Sequence, residues 1–97
     1  MTRFALTPAA RRDLAEIWFY TADQWGIDRA DAYVRRIESD LSEAAMGSPL
    51  VRPIDDKWRI KSGRHVCFFR KPTEGKIEVI RILHERMDPS LHLDEAR

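Results

Sequence analysis

The chain has 97 residues, of which 43% are hydrophobic and 34% charged, with a formal net charge of +1 at pH 7. This apolar content excludes a disordered chain, and no run approaches the ~20 apolar residues that a membrane-spanning helix needs. The near-neutral charge neither requires nor excludes nucleic acid. One cysteine, Cys67, in an apolar run is typical of a small core side chain in a reducing compartment. We expect one domain over residues 1–97, cytoplasmic and without leader or membrane segment.

The first half of the sequence predicts a short strand followed by two helices. Arg3 to Thr7 is a candidate strand, and Thr7-Pro8 is a helix start, with a hydroxyl at the N-cap and proline at the first position. Apolar residues at helical spacing continue to Trp25-Gly26, where glycine ends the helix. Asp28 is predicted to cap a second helix, which Gly47-Ser48-Pro49 ends. The short connection between the helices predicts an antiparallel hairpin.

The second half predicts a loop and three strands. Pro49 to Asp56 contains two prolines and two aspartates and is predicted to be a loop. Turn residues separate the strands, which cover Lys57–Lys61, His65–Arg70 and Ile77–Leu83. The element order is then β-α-α-β-β-β. We expect an α+β fold in which the helical hairpin packs on a small, mainly antiparallel sheet.

The last strand is followed by an unusually polar segment, His84 to Asp88, which Pro89 ends. Strict alternation places Ile77, Val79, Arg81 and Leu83 on one face. His84 is three residues from Arg81, so the two side chains are predicted to lie on opposite faces. A single phosphate would then not easily contact both.

Seven stretches of this sequence, in this order and at this spacing, resemble the ParE toxins of the RelE/ParE superfamily. The resemblance covers nearly the whole chain and is most specific in the last of the stretches. One departure is that Ile54 to Arg59 lacks the glycine of a Leu-x-x-Gly-x-Arg pattern common in such chains. The stretches are Leu6-Thr7-Pro8-Ala9-Ala10, Asp13-Leu14, Ile17-Trp18, Trp25-Gly26, Ala32-Tyr33, Gly63 to Phe69 and Arg81 to Asp88.

The resemblance implies the toxin of a type II toxin–antitoxin pair, which typically inhibits DNA gyrase. It also implies a hetero-oligomer with a ParD-like ribbon-helix-helix antitoxin, through which alone the toxin would reach operator DNA. Neither a membrane nor a cofactor is implied. Two alternatives stay open: a ribosome-dependent endoribonuclease of the RelE type, and a member that binds its antitoxin without being toxic.

A ribonuclease would need an acid, a base and cations around one phosphate. The candidates for such a site are Arg59, Arg81, His84 and Arg86. They would have to converge in one pocket, and a toxin that acts by binding would need only an accessible surface. We expect no catalytic site and no metal site, since the histidines and Cys67 lack the paired spacing of zinc ligands.

Two surfaces are candidates for protein contacts. The first is a basic stripe on the strand after the loop, which either discourages edge-to-edge aggregation or binds an acidic antitoxin segment. The second follows the last strand and is a candidate for target binding or simply caps the sheet. Trp18 and Trp25 are expected in the core, and Trp58 under the helices. The stripe comprises Lys57, Arg59, Lys61 and Arg64, with Trp58 on the opposite face, and the second surface comprises Arg86, Met87, His92 and Leu93.

Overall fold

A computed structural model of the chain describes residues 3–93. The predicted order of elements is confirmed, with one further strand in the second half. Two helices form a hairpin that packs on one face of a five-stranded sheet, and a short 3-10 helix follows the last strand. The elements are β1 (Phe4–Leu6), α1 (Pro8–Trp25), α2 (Ile27–Ala45), β2 (Arg52–Ile54), β3 (Lys57–Ser62), β4 (His65–Thr73), β5 (Lys76–His84) and the 3-10 helix Pro89–Leu91.

The strands lie in the order β1-β5-β4-β3-β2. All neighbours are antiparallel except β1, which runs parallel to β5 with Leu6 opposite Val79. The sheet is therefore mainly antiparallel, as predicted. The prediction that Pro49 to Asp56 is only a loop is wrong, because Arg52–Ile54 forms β2 at the edge of the sheet. Edge strands accept a proline, here Pro53, since one side of the strand needs no ladder hydrogen bond.

Helix ends follow the predicted chemistry at one helix and depart from it at the other. Thr7 accepts a hydrogen bond from the backbone N–H of Ala10 and so caps α1. Helix α2 begins two residues earlier than predicted: Gly26 is its N-cap and no side chain caps it, so the prediction that Asp28 caps α2 is wrong. Gly26 has φ of 96°, and this conformation lets α1 end and α2 start on a single residue.

The main core lies between the helices and the sheet. It is formed by Ile37 and Leu41 of α2 with the sheet residues Ile60, Cys67, Phe69, Ile77, Val79 and Ile82. Burial raises the pKa of the Cys67 thiol to about 12, so this cysteine is an unreactive core side chain.

Strict alternation along β5 was expected and is wrong. Phe69 lies opposite Val79 while Phe68 lies opposite Arg81, so the strand contains a bulge at Ile80. The extra residue reverses the faces beyond it. Val79 and Ile82 therefore belong to the same core, whereas Leu83 packs on the other face.

A smaller core on the far face of the sheet is covered by the segment after β5. Val66, Phe68 and Leu83 pack there with Leu93, and Ile54 of β2 lies against them. The segment turns through Asp88, whose carboxylate accepts from the Ser90 backbone N–H and hydroxyl. The segment is thus docked on the sheet as far as Leu93. Within residues 3–93, no helix is both long and apolar enough to cross a membrane.

Candidate functional site

Because β1 ends at Leu6, no strand within residues 3–93 pairs with the outer edge of the second half of β5, and we call this edge the free edge. Asp13 of α1 takes the place of the missing strand: its carboxylate accepts from the Ile82 backbone N–H at 2.9 Å and from Arg81 Nε and Nη2 at 2.7 and 3.0 Å. Side-chain exposure is only 15% for Arg81 and 10% for Asp13. A bidentate pair this shielded from water fixes both side chains.

A polar cluster formed by Tyr33, His65 and His84 lies beside that edge, on the helix side of the sheet. The Tyr33 hydroxyl lies 2.6 Å from His65 Nδ1 and accepts from the Arg64 backbone N–H at 3.0 Å. The His65 and His84 rings meet edge to face, with centroids 5.4 Å apart. Burial, with a smaller contribution from His84, lowers the pKa of His65. Burial also raises the pKa of the Tyr33 hydroxyl, so both groups are neutral near pH 7.

His84 lies where three clefts meet, and each cleft pairs it with a different arginine. A cleft of about 290 Å³ at the free edge contains His84 and Arg81. A second, of about 300 Å³ on the far face, contains His84, Arg59 and Glu85. A third, of about 580 Å³ towards the tip of the helical hairpin, contains His84 and Arg86. The four nuclease candidates are therefore divided among three surfaces around His84.

The separation predicted for Arg81 and His84 is modified by the free edge. Their backbone positions lie opposite Phe68 and His65, on different faces of β4, yet both side chains line the edge cleft. Arg81 is held by Asp13 and also donates to the His92 carbonyl at 3.4 Å. Its guanidinium already contacts Asp13 and the His92 carbonyl, so a phosphate in this cleft would compete with a buried carboxylate for it.

Glu85 is the one acidic residue among the described residues that line the far-face cleft. It accepts a hydrogen bond from Lys61 at 3.2 Å and lies 3.9 Å from Arg64. The hydrogen bond from Lys61, together with the nearby cations, lowers the pKa of Glu85. A carboxylate with a lowered pKa remains ionised and is a poor general base near pH 7.

Three members of the predicted basic stripe, Lys57, Arg59 and Lys61, lie on the far face, opposite the helices, whereas Arg64 in the following turn lines the cleft at the hairpin tip. Arg59 is opposite Phe68 and Lys61 opposite Val66, and both of these partners belong to the far-face core. Glu85 partly neutralises Lys61 and Arg64, and Lys57 pairs with Asp56 at 2.8 Å. The role of the stripe in antitoxin binding stays a prediction.

Trp58 is placed as predicted, half-buried against the main core under the helices. The Lys71 ammonium lies 4.0 Å from the centre of the Trp58 ring. Trp18 was also expected in the core, but it is half-buried, belongs to neither of the two cores described above and donates to Asp31 at 2.8 Å. The expectation that Trp25 lies in the core is wrong, since this side chain is 65% exposed. Helical spacing identifies the face on which Trp25 lies but not how far along α1 that face is covered.

The four residues predicted to engage a target differ in accessibility. Arg86 and Met87 are exposed, and His92 is half-buried. Leu93 is only 9% exposed and packs on Phe68 and Leu83. Its placement as a surface contact is wrong for this conformation, because an apolar side chain at the end of the docked segment is more stable in the far-face core.

Two residues of the Tyr33, His65 and His84 cluster were not predicted as site residues. Tyr33 follows the helical stripe and His65 starts a strand, so the local sequence gave each an ordinary structural explanation. They meet at the turn of Gly63, which has φ of 60°, where Tyr33 of α2 contacts both Arg64 and His65. Among residues 3–93, no group of histidine, cysteine and acidic side chains is placed to hold a metal ion.

The sequence was compared with known families and proteins. Residues 4–89 match the family described as ParE toxin of type II toxin-antitoxin system, parDE. Toxin ParE1 of Mycobacterium tuberculosis is 38% identical over 96 residues, which cover 95% of this chain and 98% of that protein. Toxin ParE1 of Caulobacter vibrioides is 33% identical, covering 96% and 99%, and Toxin ParE of Escherichia coli is 32% identical, covering 91% and 89%.

Solved structures share the fold at lower identity. A chain from the chromosomal ParDE TA system of P. aeruginosa superposes with a TM-score of 0.69 at 19% identity, covering 87% of this chain and 96% of that one. A chain from the toxin-antitoxin complex RelBE2 of Mycobacterium tuberculosis gives 0.59 at 18% identity, covering 86% and 96%. These two likenesses establish the architecture of a helical hairpin on a mixed sheet.

Proposed function

The chain belongs to the ParE toxins of type II toxin–antitoxin systems, and on that premise we propose that it inhibits DNA gyrase by binding, without being an enzyme. The proposal places its action in the cytoplasm. Inhibition of this kind needs an accessible, specific surface and no acid–base chemistry. Arg86 and Met87 provide that surface at the end of β5, where a rigid strand positions them.

The observation that carries this proposal is the division of the candidate catalytic residues. Arg81 is bound to Asp13, Arg59 lies on the far face, and Arg86 lines the cleft at the hairpin tip. Each member of an acid–base pair contributes about 10²–10⁴ in rate only when it reaches the reacting atoms. Residues facing three surfaces support a binding function better than phosphodiester cleavage.

We further propose that a ParD-like ribbon-helix-helix antitoxin neutralises the chain and connects it to operator DNA. One structural neighbour comes from a ParDE TA system, which supports a partner of that kind. The exposed cations Arg59, Lys61 and Arg64 suit an acidic segment of the antitoxin. Glu85 competes for two of these cations, so the antitoxin would have to offer at least one carboxylate in its place.

A ribonuclease is the second candidate, and one observation favours it. Arg59, His84 and Glu85 line a single cleft on the far face, and these are the residue types that such chemistry uses. The lowered pKa of Glu85 argues against its acting as the base. A third candidate, a chain that binds its antitoxin without toxicity, makes no demand on this cleft.

The functions are separated by expressing the chain without its antitoxin and measuring two products. Our proposal predicts double-strand DNA breaks that depend on gyrase, together with intact messenger RNA. Transcripts cut in phase with codons, with normal DNA supercoiling, would contradict it. If folded chain accumulates and growth is unaffected, the chain is not toxic, and the candidate that only binds its antitoxin replaces our proposal.

Two variants sharpen this experiment. Arg86→Gln should reduce gyrase inhibition, because it removes a cation from the exposed end of β5. Arg3→Gln removes the same charge at a position just before β1 and should leave gyrase inhibition unchanged. His84→Gln would abolish cleavage by a far-face nuclease, and our proposal predicts that this variant still causes DNA breaks.

A further inference from the structure

A cleft opens between the tip of the helical hairpin and the end of β5, and we call it the hairpin cleft. Its volume is about 580 Å³, within the ~300–1,000 Å³ typical of sites for small ligands. The walls come from the end of α1, the start of α2, the turn before β4 and the end of β5. It is distinct from the far-face cleft that contains Arg59 and Glu85.

The hairpin cleft is strongly cationic in a chain whose net charge is only +1. Arg29, Arg64 and Arg86 line it, and none of the described residues that line it is acidic. Glu85 approaches Arg64 from outside the cleft at 3.9 Å, too far for a hydrogen bond. One guanidinium group can donate two parallel hydrogen bonds to two oxygens of a phosphate. Three guanidinium groups around one space therefore favour a phosphoryl group.

A histidine side chain adds a hydrogen-bond donor to this wall. His84 Nδ1 accepts from the Arg86 backbone N–H at 3.2 Å. In the neutral ring the hydrogen must then lie on Nε2. The Tyr33 hydroxyl accepts from the Arg64 N–H, donates to the Ser62 carbonyl at 3.4 Å and lies 2.6 Å from His65 Nδ1. The Nε2–H of His84 is thus the donor that this wall adds, and it again suits an anion.

The other wall of the cleft is aromatic and exposed. Trp25 is 65% and Tyr20 68% exposed, although large aromatic side chains are usually covered in a folded domain. Arg29 lies 5.7 Å from the centre of the Trp25 ring, which places a cation beside a flat surface. Flat aromatic rings next to cations are the elements on which nucleotide bases stack.

We propose that the hairpin cleft binds a nucleotide unit, that is, a phosphoryl group joined to a flat aromatic ring. The phosphoryl group contacts Arg64, Arg86 and the His84 N–H, and the base stacks on Trp25. A carboxylate of an acidic peptide has two oxygens and is satisfied by one arginine. A terminal phosphoryl group has three non-bridging oxygens, and it uses the several donors converging here. The unit is either a free nucleotide or the phosphorylated end of a single-stranded chain, so the oligonucleotide probe carries a 5′-phosphate.

The test is calorimetric titration of the full 97-residue chain with four probes: inorganic phosphate, AMP, a single-stranded oligonucleotide of eight nucleotides, and a glutamate-rich peptide of eight residues. AMP should bind more tightly than inorganic phosphate, because only AMP contacts Trp25. An oligonucleotide that binds more tightly than AMP, with an affinity that falls steeply with salt, identifies the source as a chain. Equal affinities for AMP and the oligonucleotide identify a free nucleotide.

Matched variants locate the binding. Arg86→Gln should weaken AMP binding about tenfold through the loss of a charge-assisted hydrogen bond. Trp25→Ala should remove the advantage of AMP over phosphate. Arg3→Gln carries the same charge change at a distance from the hairpin cleft and should bind AMP like the unsubstituted chain. Circular dichroism checks that each variant is folded.

Three results would overturn the proposal. One is the absence of saturable binding of AMP and of the oligonucleotide at millimolar concentration. Another is an equal loss of affinity in Arg86→Gln and Arg3→Gln, which would indicate attraction by net charge alone. The last is tighter binding of the glutamate-rich peptide than of either nucleotide probe, which would make the cleft a docking site for an acidic protein segment.

Discussion

The two halves of β5 share one strand and very different surroundings. Ile77 and Val79 lie between β1 and β4, packed under the helices. Beyond the bulge at Ile80, β1 has ended and the edge is covered by a carboxylate, Asp13. The first half is covered by a neighbouring strand on each side and contributes to the core. The second half leaves polar side chains at an open edge, and all three clefts around His84 form there.

This difference shows how a small sheet can combine rigidity with a functional surface. A short β1 leaves backbone groups of β5 unpaired, and such groups must find partners. Asp13 satisfies the Ile82 N–H and at the same time fixes Arg81. The end of β5 pairs with β4 on one side and is contacted by Asp13 on the other, and the residues from His84 to Met87 continue from it with accessible side chains. The packed first half of β5 thus fixes the positions of the polar residues at the end of the second half.

The largest effect should come from breaking the carboxylate contact at the open edge. Asp13→Ala leaves Arg81 poorly solvated and the Ile82 N–H unpaired, so we expect the free energy of unfolding to fall by about 3–5 kcal/mol. The matched change in the first half is Glu78→Gln, which breaks the exposed pair with Arg70 at 3.4 Å and should cost less than about 1 kcal/mol. Urea unfolding measures both. Similar losses would show that the two halves do not differ in this way.

Removing the docked side chain at the end of the tail should have the next largest effect. Leu93→Ala should reduce the free energy of unfolding by about 2–5 kcal/mol, because it leaves a cavity beside Phe68 and Leu83. Leu91→Ala changes an exposed leucine in the same segment and should alter it by less than about 0.5 kcal/mol. If both variants unfold like the unsubstituted chain, Leu93 is not docked in solution and returns as a candidate for target contact.

A smaller effect is expected at the turn before β4. Gly63 has φ of 60°, and a Cβ there would lie 2.7 Å from Tyr33 Cε1 and Oη. Gly63→Ala therefore strains the backbone by about 1 kcal/mol and also displaces a tyrosine that is hydrogen-bonded to His65. Gly47→Ala shares the positive φ, 94°, but meets no atom within 4 Å. The midpoint temperature of thermal unfolding should be lower for Gly63→Ala than for Gly47→Ala. The reverse order would contradict the packing of Tyr33 on this turn.

The smallest effect is a dependence on pH that arises at His65. Its pKa lies below the usual 6.5 because of burial and of His84, outweighing the opposing carboxylates of Glu85 and Asp13. Near and below pH 6.5 the unfolded chain binds a proton that the folded chain resists. The contribution of His65 to stability is complete above that pH and falls as the solution is acidified towards the lower, folded pKa. His65→Gln should make the free energy of unfolding less dependent on pH between about pH 7 and 5.5, and an unchanged slope in this variant would contradict this origin.

Local sequence predicted most of the fold and little of the site. The Thr7-Pro8 cap, the glycine between the helices and the alternation in β3 depend on neighbouring residues, and all three are present. The bulge at Ile80, the strand β2 and the parallel pairing of β1 depend on partners distant in sequence. The same is true of the pair Asp13 and Arg81, 68 positions apart. Trp25 was misplaced because a helical stripe does not reveal where its covering sheet ends.

The most direct test of a binding toxin is DNA supercoiling by purified gyrase in the presence of increasing amounts of this chain. Our account predicts inhibition by the unsubstituted chain, inhibition retained in His84→Gln, and weaker inhibition in Arg86→Gln. RNA incubated with ribosomes and the chain should remain intact. Full supercoiling at a large excess of folded chain over gyrase would contradict the account.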